Sequence, residues 1–215
     1  MSKKIIVFGA TGATGKRVVS QALDRGHGVT AFVRDPARLT ISHPGLSVVQ
    51  GDLADAESID AALAQGGDAV ISTLGLFSLK PTTIVSEGTA RIIGAMQRHG
   101  VQRLLVVSSI GVGDSAGHGN FLVRMIQRTS LKQVLADKER QEAAIRESDL
   151  DWTVLRPPRL VDNPEIRKDQ ILWQAEQPTE KVSWATSTGS VANMLLDALE
   201  NDRYLREAVN FSDPK

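Results

Sequence analysis

The chain has 215 residues, the size of one domain with a substantial core, and its 25 basic and 25 acidic side chains give no net charge, which argues against a nucleic-acid partner. It has no cysteine, and its four histidines show no paired ligand spacing, so we expect neither a disulfide nor a metal site. No stretch approaches the roughly 18 apolar residues of a membrane span, and no signal peptide is recognisable; we expect a soluble, cytoplasmic protein without a membrane partner.

The predicted elements alternate between strands and helices. The apolar run 5–8 predicts a buried strand, and apolar residues at helical spacing in 18–23 predict a helix that stops at Gly26. The elements predicted after these are strands 29–33 and 46–50, helix 56–64, strand 69–72, helix 83–99, strand 103–108, helix 131–147 and strand 152–155. This order indicates an α/β fold with a doubly wound parallel sheet of the Rossmann type.

Two stretches, 111–119 and 161–181, lack strong periodicity, and the first is rich in glycine. Both follow strands that should end at the carboxyl edge of the sheet, where open α/β sheets bind ligands. We therefore expect a single domain over 1–215, with substrate loops at about 111–136 and 161–181.

Three closely spaced glycines follow the first strand. Gly9 permits a tight turn, Gly12 lets the backbone approach a ligand, and Gly15 lets the next helix pack closely. The start of that helix predicts a pyrophosphate site. A P-loop is excluded, because that motif needs glycine in place of Ala10 and serine or threonine in place of Arg17.

The end of the second strand predicts the choice of cofactor. Arg34 follows this strand directly and Arg38 lies one turn later, so two guanidinium groups are available for the 2′-phosphate of NADP. Asp35 lies about twenty residues after the glycines, which is the position of the ribose-binding carboxylate in NAD-binding proteins. We predict NADP(H), with NAD as the alternative. A third interpretation is that both arginines only face solvent around a turn and bind nothing.

Residues that could carry chemistry are few. The only tyrosine is Tyr204, and Ala208 stands where a catalytic lysine would follow it, so the usual tyrosine–lysine pair of short-chain dehydrogenases is absent. Ser109 and Lys138 are the catalytic candidates. Ser109 could contact the substrate or only the backbone, and Lys138 could reach solvent or bond a cofactor ribose with Glu142 as its partner.

Further candidates follow from the predicted strand ends and the glycine turn. The residues predicted to bind the cofactor are Gly9, Thr11, Gly12, Thr14, Gly15, Arg34, Arg38, Asp52, Leu53, Thr73, Leu74, Gly75, Ser108 and Pro157.

Several segments together resemble the atypical short-chain dehydrogenases, in particular the NADPH-dependent flavin and biliverdin reductases. These segments are GATGATGK, VRDPARL, GDL, ISTLG, PTTIVSEGTARIIGAMQRHGV, VVSS and IRESDLDWTVLRPP. The resemblance covers about the first 110 residues and again 136–160. It implies a pyrophosphate site at the glycine turn, a 2′-phosphate site at Arg34 and Arg38, and Ser109 in an open pocket over the nicotinamide.

Members of that family reduce flavins and linear tetrapyrroles without a dedicated tyrosine acid. The resemblance therefore implies an NADPH-dependent reductase of a flavin, a biliverdin-like tetrapyrrole or a quinone. We expect a monomer or weak homodimer. Residues 111–136 and 161–181 depart from the family pattern, which leaves the substrate open. A non-catalytic NADP-binding sensor similar to the NmrA-like regulators is the alternative; a nucleotide-sugar epimerase is disfavoured by the missing tyrosine–lysine pair.

Overall fold

The computed structural model describes residues 1–176 and 182–215, which form a central sheet with helices on both faces. The strands are β1 Lys4–Phe8, β2 Gly28–Val33, β3 Leu46–Gln50, β4 Ala69–Ser72, β5 Arg103–Val107, β6 Asp151–Arg156, β7 Arg159–Val161, β8 Ile171–Trp173, β9 Ala185–Ser187 and β10 Glu207–Ser212. The helices are α1 Ala13–Asp24, α2 Ala56–Ala64, α3 Ile84–His99, α4 Phe121–Arg128, α5 Lys132–Arg146 and α6 Thr188–Glu200.

The strands of the main sheet run in the order β3-β2-β1-β4-β5-β6-β10-β8. All neighbours are parallel except β8, which is antiparallel to β10, and β7 pairs with β9 in a separate small sheet. The chain order reverses between β1 and β4, which is the point where doubly wound sheets bind nucleotides. The predicted doubly wound parallel sheet is therefore confirmed.

Alternate residues of the central strands pack into two separate hydrophobic cores, one on each face of the sheet. In β1, Ile5 and Val7 pack with α1 and α6, whereas Ile6 and Phe8 pack on the opposite face with α2, α3 and α5. Burial on both faces explains why the strands read as continuous apolar runs rather than as alternating ones. Because helices pack on both faces of the sheet, the strand ends at its carboxyl edge are held in fixed positions.

The two stretches predicted as substrate loops contain regular structure. Residues 111–136 include a short 3₁₀ turn at Gly113–Ser115, all of α4, which was not predicted, and the start of α5, which agrees with the predicted helix 131–147. Residues 161–181 include the end of β7 and all of β8; residues 177–181 lie outside the described part of the chain. Whether either stretch contacts a substrate stays a prediction.

Candidate functional site

The central strands β1 and β4 end side by side at the reversal of the sheet order. Thr73, which follows β4, donates its hydroxyl to the carbonyl oxygens of Phe8 and Gly9, both at 3.2 Å. Gly9 has a φ of +84°, and a Cβ there would lie 2.8 Å from Thr73 Oγ1. The tight turn after β1 therefore requires glycine, and the Thr73 side chain holds that turn in place.

The turn leads into the amino end of α1. Gly12 is the N-cap of α1 and has no side chain that could accept a hydrogen bond from the helix. The first backbone amides of α1 therefore have no side-chain cap. A Cβ on Gly15 would lie 2.1 Å from the carbonyl oxygen of Gly9, whereas a Cβ on Gly12 would lie 3.3 Å from the same atom. Gly15 thus allows α1 to pack closely against the turn, and Gly12 leaves the positively polarised amino end of the helix accessible to a ligand.

A cleft of about 340 Å³ opens at this edge of the sheet. Of the candidate cofactor residues, it is lined by Gly9, Thr11, Gly12, Arg34, Arg38, Asp52, Leu53, Thr73, Leu74 and Gly75. Its other walls are apolar and consist of Phe32, Val33, Leu76, Ile84 and Val85. The structure thus brings most of the predicted residues together, while Thr14, Gly15, Ser108 and Pro157 do not line the cleft.

The arginines and the aspartate at the end of β2 differ in their surroundings. Arg34 and Arg38 are exposed at the cleft, and neither forms an ion pair with a residue in the described ranges. Asp35 instead caps a 3₁₀ turn, because its Oδ1 accepts a hydrogen bond from Ala37 N at 3.1 Å. Two cationic side chains are thus available at the cleft, whereas the competing carboxylate is engaged by backbone.

The segment after β3 supplies another wall of the cleft. The carboxylate of Asp52 accepts a hydrogen bond from Ala54 N at 2.8 Å, which shapes the turn before α2. Leu53 lies against Gly88 of α3, where an added Cβ would come within 3.2 Å of the leucine side chain. Asp52 therefore shapes the loop, and Leu53 contributes an apolar contact surface.

Lys138 of α5 is buried at the carboxyl ends of β4 and β5. Its Nζ donates to the carbonyl oxygen of Val107 at 2.9 Å and to that of Leu74 at 3.4 Å. Burial lowers the pKa of Lys138 to about 8, although the negative charges of Glu142 and Asp137 act in the opposite direction. The side chain does not reach solvent as lysines commonly do, and it links two strand ends, one of which lines the cleft.

A buried charged network lies behind this lysine. Glu142, predicted as the partner of Lys138, instead accepts from Ser108 Oγ at 2.6 Å and from Arg156 at 2.7 and 3.0 Å. It also accepts from Arg146, one turn later on α5, at 2.8 Å. Arg156 also contacts Asp114, and both Glu142 and Arg156 are completely buried. The Ser108 hydroxyl therefore points into this network, which connects β5, β6, α5 and the turn after β5.

Sequence reasoning missed two acidic residues near the site. Asp114 lies in the turn after β5, where no local pattern connects it with Arg156. Asp137 accepts hydrogen bonds from Val85 N at 3.1 Å and Ser86 N at 3.2 Å, so it caps the start of α3 from another helix. Both contacts join parts of the chain that are distant in sequence, and no spacing rule would have found them.

The remaining candidates lie on different sides of the sheet. Ser109 is half-buried just after β5, and its Oγ donates to the carbonyl of Ile110 at 3.1 Å. Pro157 lies next to it, because its carbonyl accepts from Ile110 N at 3.1 Å. Tyr204 precedes β10 and therefore lies at the amino edge of the sheet, opposite the cleft.

Comparisons with known proteins agree with this geometry. Residues 9–202 match the profile of a protein family described as NAD(P)H-binding. An uncharacterised chloroplastic protein of Arabidopsis thaliana is 31% identical over 171 residues, or 76% of this chain. A (4-alkanoyl-5-oxo-2,5-dihydrofuran-3-yl)methyl phosphate reductase of Streptomyces griseus is 33% identical over 159 residues, or 74% of this chain. The chain spans 61% and 49% of the lengths of these two relatives.

Solved structures share the fold over nearly the whole chain. The anaerobilin reductase ChuY of Escherichia coli O157:H7 has a TM-score of 0.83 at 22% identity, covering 99% of this chain and 98% of its own. A short-chain dehydrogenase/reductase of Veillonella parvula in complex with NADP has a TM-score of 0.80 at 19% identity, covering 100% and 96%. At these identities the likeness establishes the fold, and the chemistry has to be argued from the residues of this chain.

Proposed function

This chain belongs to the NAD(P)H-binding family, and on that premise we propose that it is an NADPH-dependent reductase of a flavin or another flat, conjugated acceptor, such as a linear tetrapyrrole or a quinone. The resemblance of its sequence to the atypical short-chain dehydrogenases is confirmed at the level of family and fold. The names of its relatives support an NAD(P)H-dependent oxidoreductase in general. The preference for NADPH and the class of acceptor are our proposal.

The observation that carries the choice of NADPH is the pair of arginines at the end of β2. Arg34 and Arg38 line the cleft without an acidic partner in the described ranges, whereas Asp35 is held by the backbone of its own turn. A 2′-phosphate between two guanidinium groups would receive charge-assisted hydrogen bonds, which are stronger than bonds to a neutral hydroxyl. A ribose that carries only hydroxyls would leave both cations unpaired.

The residues around α1 fit a dinucleotide. The missing Cβ of Gly12 leaves space at the open amino end of α1, and its first amides would hold the pyrophosphate. When bound, NADPH supplies a hydride. Lys138 holds the ends of β4 and β5 in position beside the cleft, and Ser109 is proposed to contact the acceptor at the end of β5.

The missing tyrosine acid favours an acceptor that needs no positioned proton donor. A conjugated ring spreads the electron pair of the incoming hydride, so the one proton that balances the reduction can come from water. The apolar side chains of Leu76 and Ile84 line the cleft and offer a surface for a flat ring. This chemistry is compatible with the position of Tyr204 at the far edge of the sheet.

The proposal is tested by following oxidation of NADPH with FMN, FAD, a linear tetrapyrrole and a quinone in turn, and then repeating each assay with NADH. We expect turnover with at least one acceptor and a clear preference for NADPH. Tight NADPH binding without turnover on any acceptor would contradict the reductase and favour the NADP-binding sensor. Equal rates with NADPH and NADH would contradict the role of the two arginines.

A further inference from the structure

The short helix α4 presents its apolar side chains to solvent. Phe121, Leu122, Met125 and Ile126 have relative exposures of 76%, 57%, 47% and 40%. The buried residue of this helix is polar: Gln127 faces inward and donates to the carbonyl of His118 at 3.3 Å. A helix on the surface of a globular protein normally has the opposite arrangement, so this apolar face calls for a partner.

The charged residues of α4 and of the turn that follows it are all cationic. Arg124, Arg128 and Lys132 are exposed, and none of them forms an ion pair within the described part of the chain. The sequence from 115 to 136 contains no aspartate or glutamate. An apolar face flanked by unpaired cations complements a surface that is apolar inside and anionic outside.

The loop between β4 and α3 has the same character and lies at the same edge of the sheet. Phe77 and Leu79 have relative exposures of 68% and 69%, Lys80 is exposed beside them, and residues 69–86 contain no acidic side chain. Arg140 of α5 ties this loop to the helix that follows α4 through a 2.6 Å hydrogen bond to the carbonyl of Thr82. Neither aromatic residue, Phe77 nor Phe121, lines the nucleotide cleft.

We propose that these two segments form a docking surface for an anionic lipid bilayer. The docking surface consists of Phe77, Leu79, Phe121, Leu122, Met125 and Ile126, with Lys80, Arg124, Arg128 and Lys132 around them. The apolar side chains enter the boundary between headgroups and acyl chains, while the cations contact lipid phosphates. This inference does not depend on the proposed reductase activity.

The charge pattern favours lipid over a second copy of this chain. A two-fold contact through α4 would bring the same unpaired cations of both copies together, which is unfavourable. No helix in the described ranges is long and apolar enough to cross a bilayer. The expectation of no membrane partner was based on the lack of a spanning segment, and peripheral docking requires no such segment.

The test is flotation of the full chain with vesicles of phosphatidylcholine alone and with vesicles that contain about one third phosphatidylglycerol. We expect binding to the anionic vesicles that falls with salt, and little binding to phosphatidylcholine. In Phe121→Ser/Met125→Ser we expect the partition coefficient to fall about tenfold or more. In Arg124→Ser/Arg128→Ser we expect a loss of roughly fivefold for each residue.

The matched control is Val48→Ser on the edge strand β3. Val48 has a relative exposure of 45%, close to that of Met125, but lies four strands away from β5 in the sheet. This variant should bind vesicles like the wild type, and unchanged circular dichroism and melting temperature would show that the variants fold. Absence of wild-type flotation, or equal flotation of the Phe121→Ser/Met125→Ser variant, would overturn the proposal. A wild-type dimer that this double variant converts to monomers, without vesicle binding, would assign the surface to a second copy.

Discussion

Arg34 and Arg38 are the residues on which the choice of cofactor depends. A charge-assisted hydrogen bond contributes about 1.5–3 kcal/mol, so we expect Arg34→Ala to raise the Kd for NADPH by about ten- to a hundredfold. The Kd for NADH should change by less than about twofold, because NADH has no 2′-phosphate. Fluorescence titration of both nucleotides measures this difference.

Arg98→Ala is the control for that experiment. Arg98 of α3 pairs with Asp60 of α2 at 2.9 Å and does not line the cleft. The Arg98→Ala variant should have the same Kd for NADPH and the same Kd for NADH as the wild type. If Arg34→Ala weakens NADPH and NADH equally, the arginine holds some part of the nucleotide that both cofactors share.

Lys138 should make stability depend on pH in an unusual direction. Burial lowers its pKa in the folded protein from 10.5 to about 8, so between these values the unfolded chain binds more protons than the folded one. Relative to Lys138→Met, the free energy of unfolding of the wild type should therefore rise from pH 8 to pH 10.5, by about 3 kcal/mol in total. Urea unfolding of both proteins across this range measures the change, and a difference that stays constant with pH would contradict it.

At the scale of elements, the two glycines of the β1–α1 turn should behave differently. In Gly12→Val the new Cβ would lie 3.3 Å from the nearest atom and would occupy the proposed pyrophosphate site. We expect this variant to fold, with a loss of about 1 kcal/mol or less at the N-cap, and to lose NADPH binding. Calorimetric titration and thermal unfolding separate the two effects.

Gly15→Val is the comparison variant. Its Cβ would lie 2.1 Å from the carbonyl oxygen of Gly9, so α1 would have to move away from the turn. We expect a destabilisation of about 1–3 kcal/mol or more. If Gly12→Val retains wild-type affinity for NADPH, the pyrophosphate site lies elsewhere.

The contact between α5 and β6 is a buried ion pair. Arg156→Met would remove the guanidinium that contacts both oxygens of the completely buried Glu142 and leave the carboxylate with Arg146, at 2.8 Å, as its cationic partner. Removing one partner of a buried ion pair costs about 3–5 kcal/mol, and the remaining contact with the partly exposed Arg146 should keep the cost near the lower end of that range. The double variant Glu142→Gln/Arg156→Met should recover part of this loss, because it removes the charge that has lost its buried partner; denaturant unfolding measures both. A cost of less than about 1 kcal/mol for Arg156→Met would mean that Arg146 alone compensates the charge of Glu142.

For the molecule as a whole, cofactor binding should raise the melting temperature. A ligand at a hundred times its Kd stabilises the folded state by about 2.7 kcal/mol, which corresponds to about 5–10 °C for a chain of this size. At the same concentration NADH should give a clearly smaller shift, since its proposed contacts lack the 2′-phosphate. Equal shifts in differential scanning calorimetry would contradict the preference for NADPH.

The sequence predicted the elements whose burial produces a readable pattern. The apolar run of β1 and the spaced glycines after it indicated both the strand and the turn, and the alternation of elements indicated the doubly wound parallel sheet. Helix α6 was not predicted, because it is buried on nearly all sides and has no clear polar stripe. Helix α4 was missed because it is only eight residues long, too short for its apolar spacing to stand out as a helical period.

The residues of the candidate site also fall into two groups, those with a local sequence pattern and those without one. Gly9, Gly12 and Arg34 were predicted because their roles follow from their spacing along one βα unit. The contacts of Glu142 with Ser108 and Arg156 were not predicted, since these two residues reach it from the ends of two different strands. Spacing rules describe neighbours along an element, whereas these contacts depend on which strands lie side by side.

The position of β10 in the sheet has a consequence for synthesis of the chain. This strand lies between β6 and β8, and β6 ends at Arg156 while β10 begins only at Glu207. On the ribosome, β1 to β5 can pair as they emerge, but one edge of β6 keeps its backbone groups unpaired until residues 207–212 have left the exit tunnel. Unpaired strand edges are the sites where nascent chains associate wrongly. Chaperones that bind during translation should therefore be needed most after β6 has emerged from the ribosome and before β10 has emerged.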